Sequence, residues 1–178
     1  MMLQKIKLYK QDSNDCVLES MQNAYLYAVQ ERHGVLLPRD KNFISNTREM
    51  YGLSDNAVIT QWTVDRIAKE GVLINNKNVT FAQFIVDKKI IQSKIKAGRP
   101  VLCLLNFKYS NNEGWLRLSD NDRQIVSKHA VCICGYDEKY LYCADSMTAS
   151  IKKISYDFCK KANMVSEGMV AIYSPVFK

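Results

Sequence analysis

A polar run rich in turn and capping residues, Lys10-Gln11-Asp12-Ser13-Asn14-Asp15, leads directly into Cys16 and the segment Val17 to Val29. Apolar residues recur there at 17/18, 21, 24/25 and 28/29, the spacing of an amphipathic helix. The pattern predicts a helix from about Asp15 to Arg32, stopped at His33-Gly34, with Asp, Ser and Asn available to cap its start. Cys16 then falls in the first helical turn. The free N–H groups and partial positive charge of a helix N-terminus favour an anion, and at such a position a thiol shifts toward thiolate, its reactive form. The plainer account of a Cys at a helix start is a small buried hydrophobe. Other residues have to decide between the two.

The remaining segments place those residues. Residues 3–9 alternate and predict a short strand. Val35 to Pro38 reads as an extended connector, because the residue before Pro avoids the helical region. Helices are expected near Asn42 to Met50, from Gln61 to Glu70 with Trp62, Val64, Ile67 and Ala68 inward, and from Asp87 to Ala97 with Asp87 as its cap. Asn75 to Asn78 is a turn, and Val79 to Val86 fits strand or helix. Val101 to Leu105 is an apolar run short enough for a buried strand. Residues 106–128 are polar, with turn signals at Asn111 to Gly114 and Ser119 to Asp122. Three β-rich runs follow at His129–Tyr136, Tyr140–Ala144 and Ile151–Tyr156, then a short helix at Asp157–Ala162 and a last strand at Met169–Tyr173. Helices gather in the first half and antiparallel strands in the second, which is an α+β arrangement. The long first helix is expected to pack on the sheet with Cys16 at the seam.

The 178 residues, 47% hydrophobic and 24% charged, fit one soluble globular domain spanning 1–178. The net charge of +7 is spread along the chain, with a denser run from Lys88 to Arg99. No Arg-rich or aromatic-interleaved block accompanies it, which argues against a nucleic-acid partner. No apolar run reaches the ~18 residues of a membrane span, and Met1 to Lys10 does not read as a signal peptide. Six Cys without such a signal point to free thiols and a reducing, cytoplasmic setting. Export as an effector by a dedicated secretion machine leaves no mark that composition would reveal.

A nucleophilic Cys needs a base for its proton and donors for the oxyanion. Of the two His residues, His33 lies 17 helical steps from Cys16, roughly 25 Å away at ~1.5 Å per residue. His129 starts a strand just after a polar loop and shares a face with Val131 and Ile133. If 129–136 and 139–145 form a hairpin, Asp145 returns beside His129 and can orient its ring. Alternatively, Asp145 caps the turn Ser146-Met147-Thr148. Gln11, five residues before Cys16, can offer its amide beside the Cys16 backbone N–H as an oxyanion donor. A zinc site at Cys132-x-Cys134 is not expected: the two thiols lie opposite His129, and the spacing is one residue short. Cys103, Cys132, Cys134 and Cys143 read as core residues. Cys159, beside Lys160 and Lys161, is expected to be incidentally reactive.

Gln11-(four residues)-Cys16, Lys94 to Val101 with Gly98-Arg99-Pro100, His129-Ala130-Val131-(three residues)-Gly135-Tyr136-Asp137, Ala144-Asp145-Ser146 and Ile154-Ser155-Tyr156-Asp157-Phe158 occur in this order. Together they resemble the papain-like cysteine peptidases, closest to the C39-like branch. The resemblance implies a helical half and a sheet half with a cleft between them. It assigns Cys16 as nucleophile, His129 as general base and acid, Asp145 as orienting residue and Gln11 as oxyanion donor. It also implies a peptide or protein substrate and neither metal nor cofactor. Val17 departs from the Gly that many branch members carry after the Cys. Residues 35–86 match nothing specific and are expected to select substrate. The same triad serves amidases, deamidases and acyltransferase effectors, and a binding module that keeps the fold without chemistry is the alternative that Val17 favours.

Overall fold

In the computed structural model, residues 1–3, 6–11, 14–106, 128–162, 165–166 and 169–176 are described. The two turns expected within 106–128 fall outside them. Among the described residues, five helices and eight strands follow in the order α1 (Cys16–His33), α2 (Phe43–Met50), α3 (Gln61–Glu70), β1 (Val72–Ile74), β2 (Lys77–Ile85), α4 (Lys88–Lys96), β3 (Val101–Asn106), β4 (Lys128–Tyr136), β5 (Tyr140–Asp145), β6 (Ser150–Ser155), α5 (Tyr156–Ala162), β7 (Val165–Ser166) and β8 (Met169–Val176). The strands form a curled antiparallel sheet in the order β1-β2-β8-β3-β4-β5-β6, with β7 paired to the start of β8. The fold is therefore α+β, helical first and sheet-rich later.

Local chemistry accounts for most boundaries. Gly34 closes α1 in the left-handed conformation, at φ 64, which a glycine adopts without strain. Asn75 and Asn76 both take positive φ and form the two-residue turn between β1 and β2, as a right-twisted hairpin requires. That turn makes Val79–Ile85 part of a strand. Asp87 caps α4 by accepting from the Ile90 N–H at 3.0 Å. Of the expected strand 3–9, the described residues 3 and 6–9 lie in no strand. Met2 bridges to Gly135 and the Leu3 N–H donates to the Cys134 carbonyl at 2.9 Å, while Leu3 and Ile6 turn into the core.

α1 is the buried helix packed on the sheet that its spacing predicts, and its burial extends to its polar positions. Every residue from Val17 to Val29 is buried, because the helix lies against β4, β3, β8 and β5 and the chain after Gly34 folds back over it. Its polar positions are matched from outside. Ser20 Oγ donates to the Ala130 carbonyl at 3.0 Å, Gln22 Oε1 accepts from the Asp40 N–H at 2.7 Å, and Glu19 is paired with Arg39. A buried carboxylate is tolerable only with such a partner. Trp62 is a second departure: it is 71% exposed, since Val64, Ile67 and Ala68 already fill the inward stripe of α3. Among the described residues no helix is long and apolar enough to cross a membrane.

Candidate active site

The register of β4 with β5 decides which way Asp145 faces. Tyr136 pairs with Leu141 and Gly135 with Tyr142, but Ile133 then pairs with Cys143 and Cys132 with Ala144, a β-bulge that inserts one residue into β4. Continuing that register sets Asp145 opposite Val131, on the face shared with His129. A hairpin without the bulge would set it opposite Cys132, facing the other way, because one residue of slip exchanges the faces of a strand. The result is a buried contact of 2.7 Å between His129 Nε2 and Asp145 Oδ1. Asp145 also accepts from the Met147 N–H at 3.0 Å and from Thr148 Oγ1 at 2.8 Å. One carboxylate therefore both meets the His129 ring and caps the turn that follows it.

Electrostatics follow from this packing. Burial lowers the basicity of His129, but its hydrogen bonds to Asp145 and to Cys16 outweigh burial, and its pKa is raised to about 9. Burial pushes Asp145 up, yet the His129 ring, Thr148 and the Met147 N–H hold it below its ordinary 3.8. One contact sets the approach: Ser20 lies one turn beyond Cys16, Ala130 lies one residue beyond His129, and the Ser20–Ala130 hydrogen bond docks the start of α1 onto the start of β4.

Cys16 is the first residue of α1 and half-buried, whereas Cys103, Cys132, Cys134, Cys143 and Cys159 are buried. Burial drives Cys132 and Cys143 well above the ordinary thiol pKa and Cys134 to about 11. Cys159 is not the accessible thiol that its lysine neighbours suggest. It contacts Cys103 at 3.6 Å, and that hydrogen bond together with burial raises its pKa well above the ordinary value. His33 is exposed at the far end of α1. Val17 points into the hydrophobic core, not into the space in front of Cys16.

Gln11 is tied to the residue after Asp145 at two points. Its N–H donates to the Ser146 carbonyl at 2.8 Å, and its Oε1 accepts from Ser146 Oγ at 2.6 Å. With Oε1 so held, the amide NH2 is the end directed away from Ser146. The helix start differs from expectation as well. Asp15 occupies the cap position but makes no side-chain cap, because its carboxylate is bound by Arg48. Thus Asp145 and Cys16 both act on His129, and Gln11 is tied to Ser146, the residue after Asp145. Ser146 and Thr148 belong to the turn marked in the sequence, whereas Ser20 and Arg48 carry no local signal there.

The profile of the Peptidase C39 like family matches residues 4–166. A protein described as a C39-like peptidase from Bacillus anthracis has a solved structure that aligns over 99% of this chain and 97% of its own, at 13% identity and a TM-score of 0.59. The peptidase domain of Streptococcus ComA, a bifunctional ABC transporter involved in quorum sensing, aligns over 96% of this chain and 98% of its own, at 14% identity and a TM-score of 0.52. No curated protein sequence matches the chain.

Proposed function

The chain belongs to the peptidase C39-like family, and from that membership together with the geometry around Cys16 we propose that it is a cysteine peptidase working through an acyl-enzyme. The observation that carries this reading is the buried His129 ring, held by Asp145 at 2.7 Å and raised to a pKa of about 9 by Asp145 and the Cys16 thiol together. Cys16 Sγ, as thiolate beside imidazolium, attacks the carbonyl carbon of a peptide or other amide bond. The developing oxyanion is met by the Cys16 N–H at the start of α1 and the Gln11 amide. His129 gives its proton to the departing amine, and a thioester remains on Cys16. His129 then takes a proton from water, whose oxygen attacks the thioester, and the carboxylic acid leaves as the thiol is restored. Asp145 holds the ring in position and stabilises its charged form.

No step in this sequence calls for a metal or cofactor. The site fits a peptide or protein substrate, with residues 1–178 as one catalytic domain; the matched span of 4–166 supports that extent. Six cysteines in one chain fit a reducing, cytoplasmic setting. The burial of Val17 in the core weakens the reading as a binding module, since that side chain leaves the oxyanion region clear.

The test is a thiol-reactivity map at mildly acidic pH. Limited iodoacetamide followed by mass spectrometry is expected to label Cys16 far faster than the other five, and His129→Ala to abolish that lead. Peptide-library cleavage by the wild type and not by Cys16→Ala completes it. Labelling of Cys16 that ignores His129, or cleavage that survives Cys16→Ala, overturns the assignment.

A further inference from the structure

Arg48 lies in the last turn of α2, 33 residues from Asp15 in sequence, and its side chain is 3% exposed. A guanidinium has five N–H donors, and here five hydrogen bonds use them. Nε and Nη2 donate to Asp15 Oδ1 at 2.9 and 2.7 Å, Nη1 to the carbonyls of Ser54 and Ala57 at 2.6 and 3.2 Å, and Nη2 also to the Asn14 carbonyl at 3.3 Å. Asn14 adds a hydrogen bond from its own amide to the Asn56 carbonyl at 2.9 Å. One buried cation therefore fastens the 54–57 turn to the two residues that immediately precede Cys16.

We propose that Arg48 is a positioning residue for the nucleophile: it fixes the backbone entering α1 and neutralises the Asp15 carboxylate that would otherwise stand uncompensated beside the Cys16 thiol. The inference rests on the reading of Cys16 given above and deepens it. A carboxylate at a helix cap ordinarily turns to the first-turn N–H groups. Turned to Arg48 instead, Asp15 leaves those donors for the reacting oxygen and loses its repulsion for a thiolate. The other charged groups around Cys16 are themselves matched: His129 from β4 is backed by Asp145 from β5, and Glu19, one turn on in α1, is paired with Arg39. Lysine cannot replace Arg48, because a point charge with three donors does not reproduce the five-way fork.

The experiment reads the pH profile of Cys16 alkylation by iodoacetamide, resolved by mass spectrometry on the full chain, so it needs no knowledge of substrate. Arg48→Gln is expected to move the profile upward by about one pH unit, about tenfold less alkylation at a fixed pH on the acidic limb. The double variant Arg48→Gln/Asp15→Asn is expected to bring the midpoint back toward wild type, although the backbone ties are still missing. Asp15→Asn alone is expected to leave the profile in place or move it downward. A purely structural role predicts equal upward shifts in the single Arg48 and the double variants, and that result overturns the proposal, as does a wild-type profile in folded Arg48→Gln. If circular dichroism shows that Arg48→Gln does not fold, the other two variants decide, an upward shift in Asp15→Asn being the overturning result. Absence of peptide cleavage would count against the peptidase reading alone, since the alkylation profile is measured without it.

Discussion

The two corners of the candidate site are built in different ways. His129 and Asp145 come from neighbouring strands 16 residues apart, and both are buried, at 2% and 0% exposure. Their contact is written into a single hairpin. Cys16 and Gln11 occupy a more open corner, and the contacts that place them come from far along the chain: Ser20 to Ala130, Asp15 to Arg48 and Gln11 to Ser146, the last separated by 135 residues. The proposed base is thus set by a local unit, whereas the proposed nucleophile is set only when the helical and sheet halves have docked. This division separates chemistry that tolerates local change from chemistry that depends on assembly.

The sharpest way to probe the comparison is Cys16→Ala. Turnover of a cleaved peptide is expected to fall at least ~10^4-fold, with a thermal melt close to wild type because the side chain is only half-buried. Within the base corner, Asp145→Ala is expected to cost about two orders of magnitude less in kcat than His129→Ala, as an orienting group costs less than the group that moves the proton. Equal losses would mean that the hairpin acts as one unit, and the distinction between the corners would narrow. In the open corner, Gln11→Ala is expected to lower kcat ~10^2-fold with KM little changed, and Ser146→Ala to lower it by a smaller factor because the Gln11 amide is loosened, not removed. Both follow from steady-state kinetics.

The smallest effect is on stability and belongs to the buried pair alone. His129 is raised to about 9 from an ordinary 6.5, so the stability that it contributes is fully present below pH 6.5 and is lost as pH rises through about 9. Asp145 is held below 3.8, so its contribution is present above that pH and is lost as pH falls through its lowered value. The melting-temperature gap between wild type and Asp145→Asn is therefore expected to be widest between about pH 4 and 6.5. It should narrow on either side, and a gap that is flat from pH 4 to 10 would contradict the charged pair.

The sequence was informative where function follows local pattern. The helix opening at Cys16, the strand opening at His129 and the turn after Asp145 could all be read from periodicity and from turn residues, and so could the helical-then-sheet order. What escaped was long-range pairing. Asp15 looked like a helix cap because nothing local announces an Arg 33 residues later. The partners of the polar positions of α1, Arg39, Asp40 and Ala130, lie on other elements and leave no local signal. Trp62 satisfied a helical stripe on paper, but Val64, Ile67 and Ala68 were enough to fill the available space. Cys159 was judged by its lysine neighbours and not by the Cys103 thiol beneath it.

The bulge in β4 makes the site a matter of register. Asp145 meets His129 while Cys132 stands opposite Ala144, and with Gly135 opposite Tyr142 this leaves Cys134 outside the ladder. A slip that drew Cys134 into the ladder would leave Cys16, His129, Asp145 and Gln11 intact in the chain, yet would put the carboxylate out of phase with the ring. Removing Cys134 outright would keep the same pairs and straighten the strand. Pairing, more than identity of residues, is what this corner of the fold has to inherit.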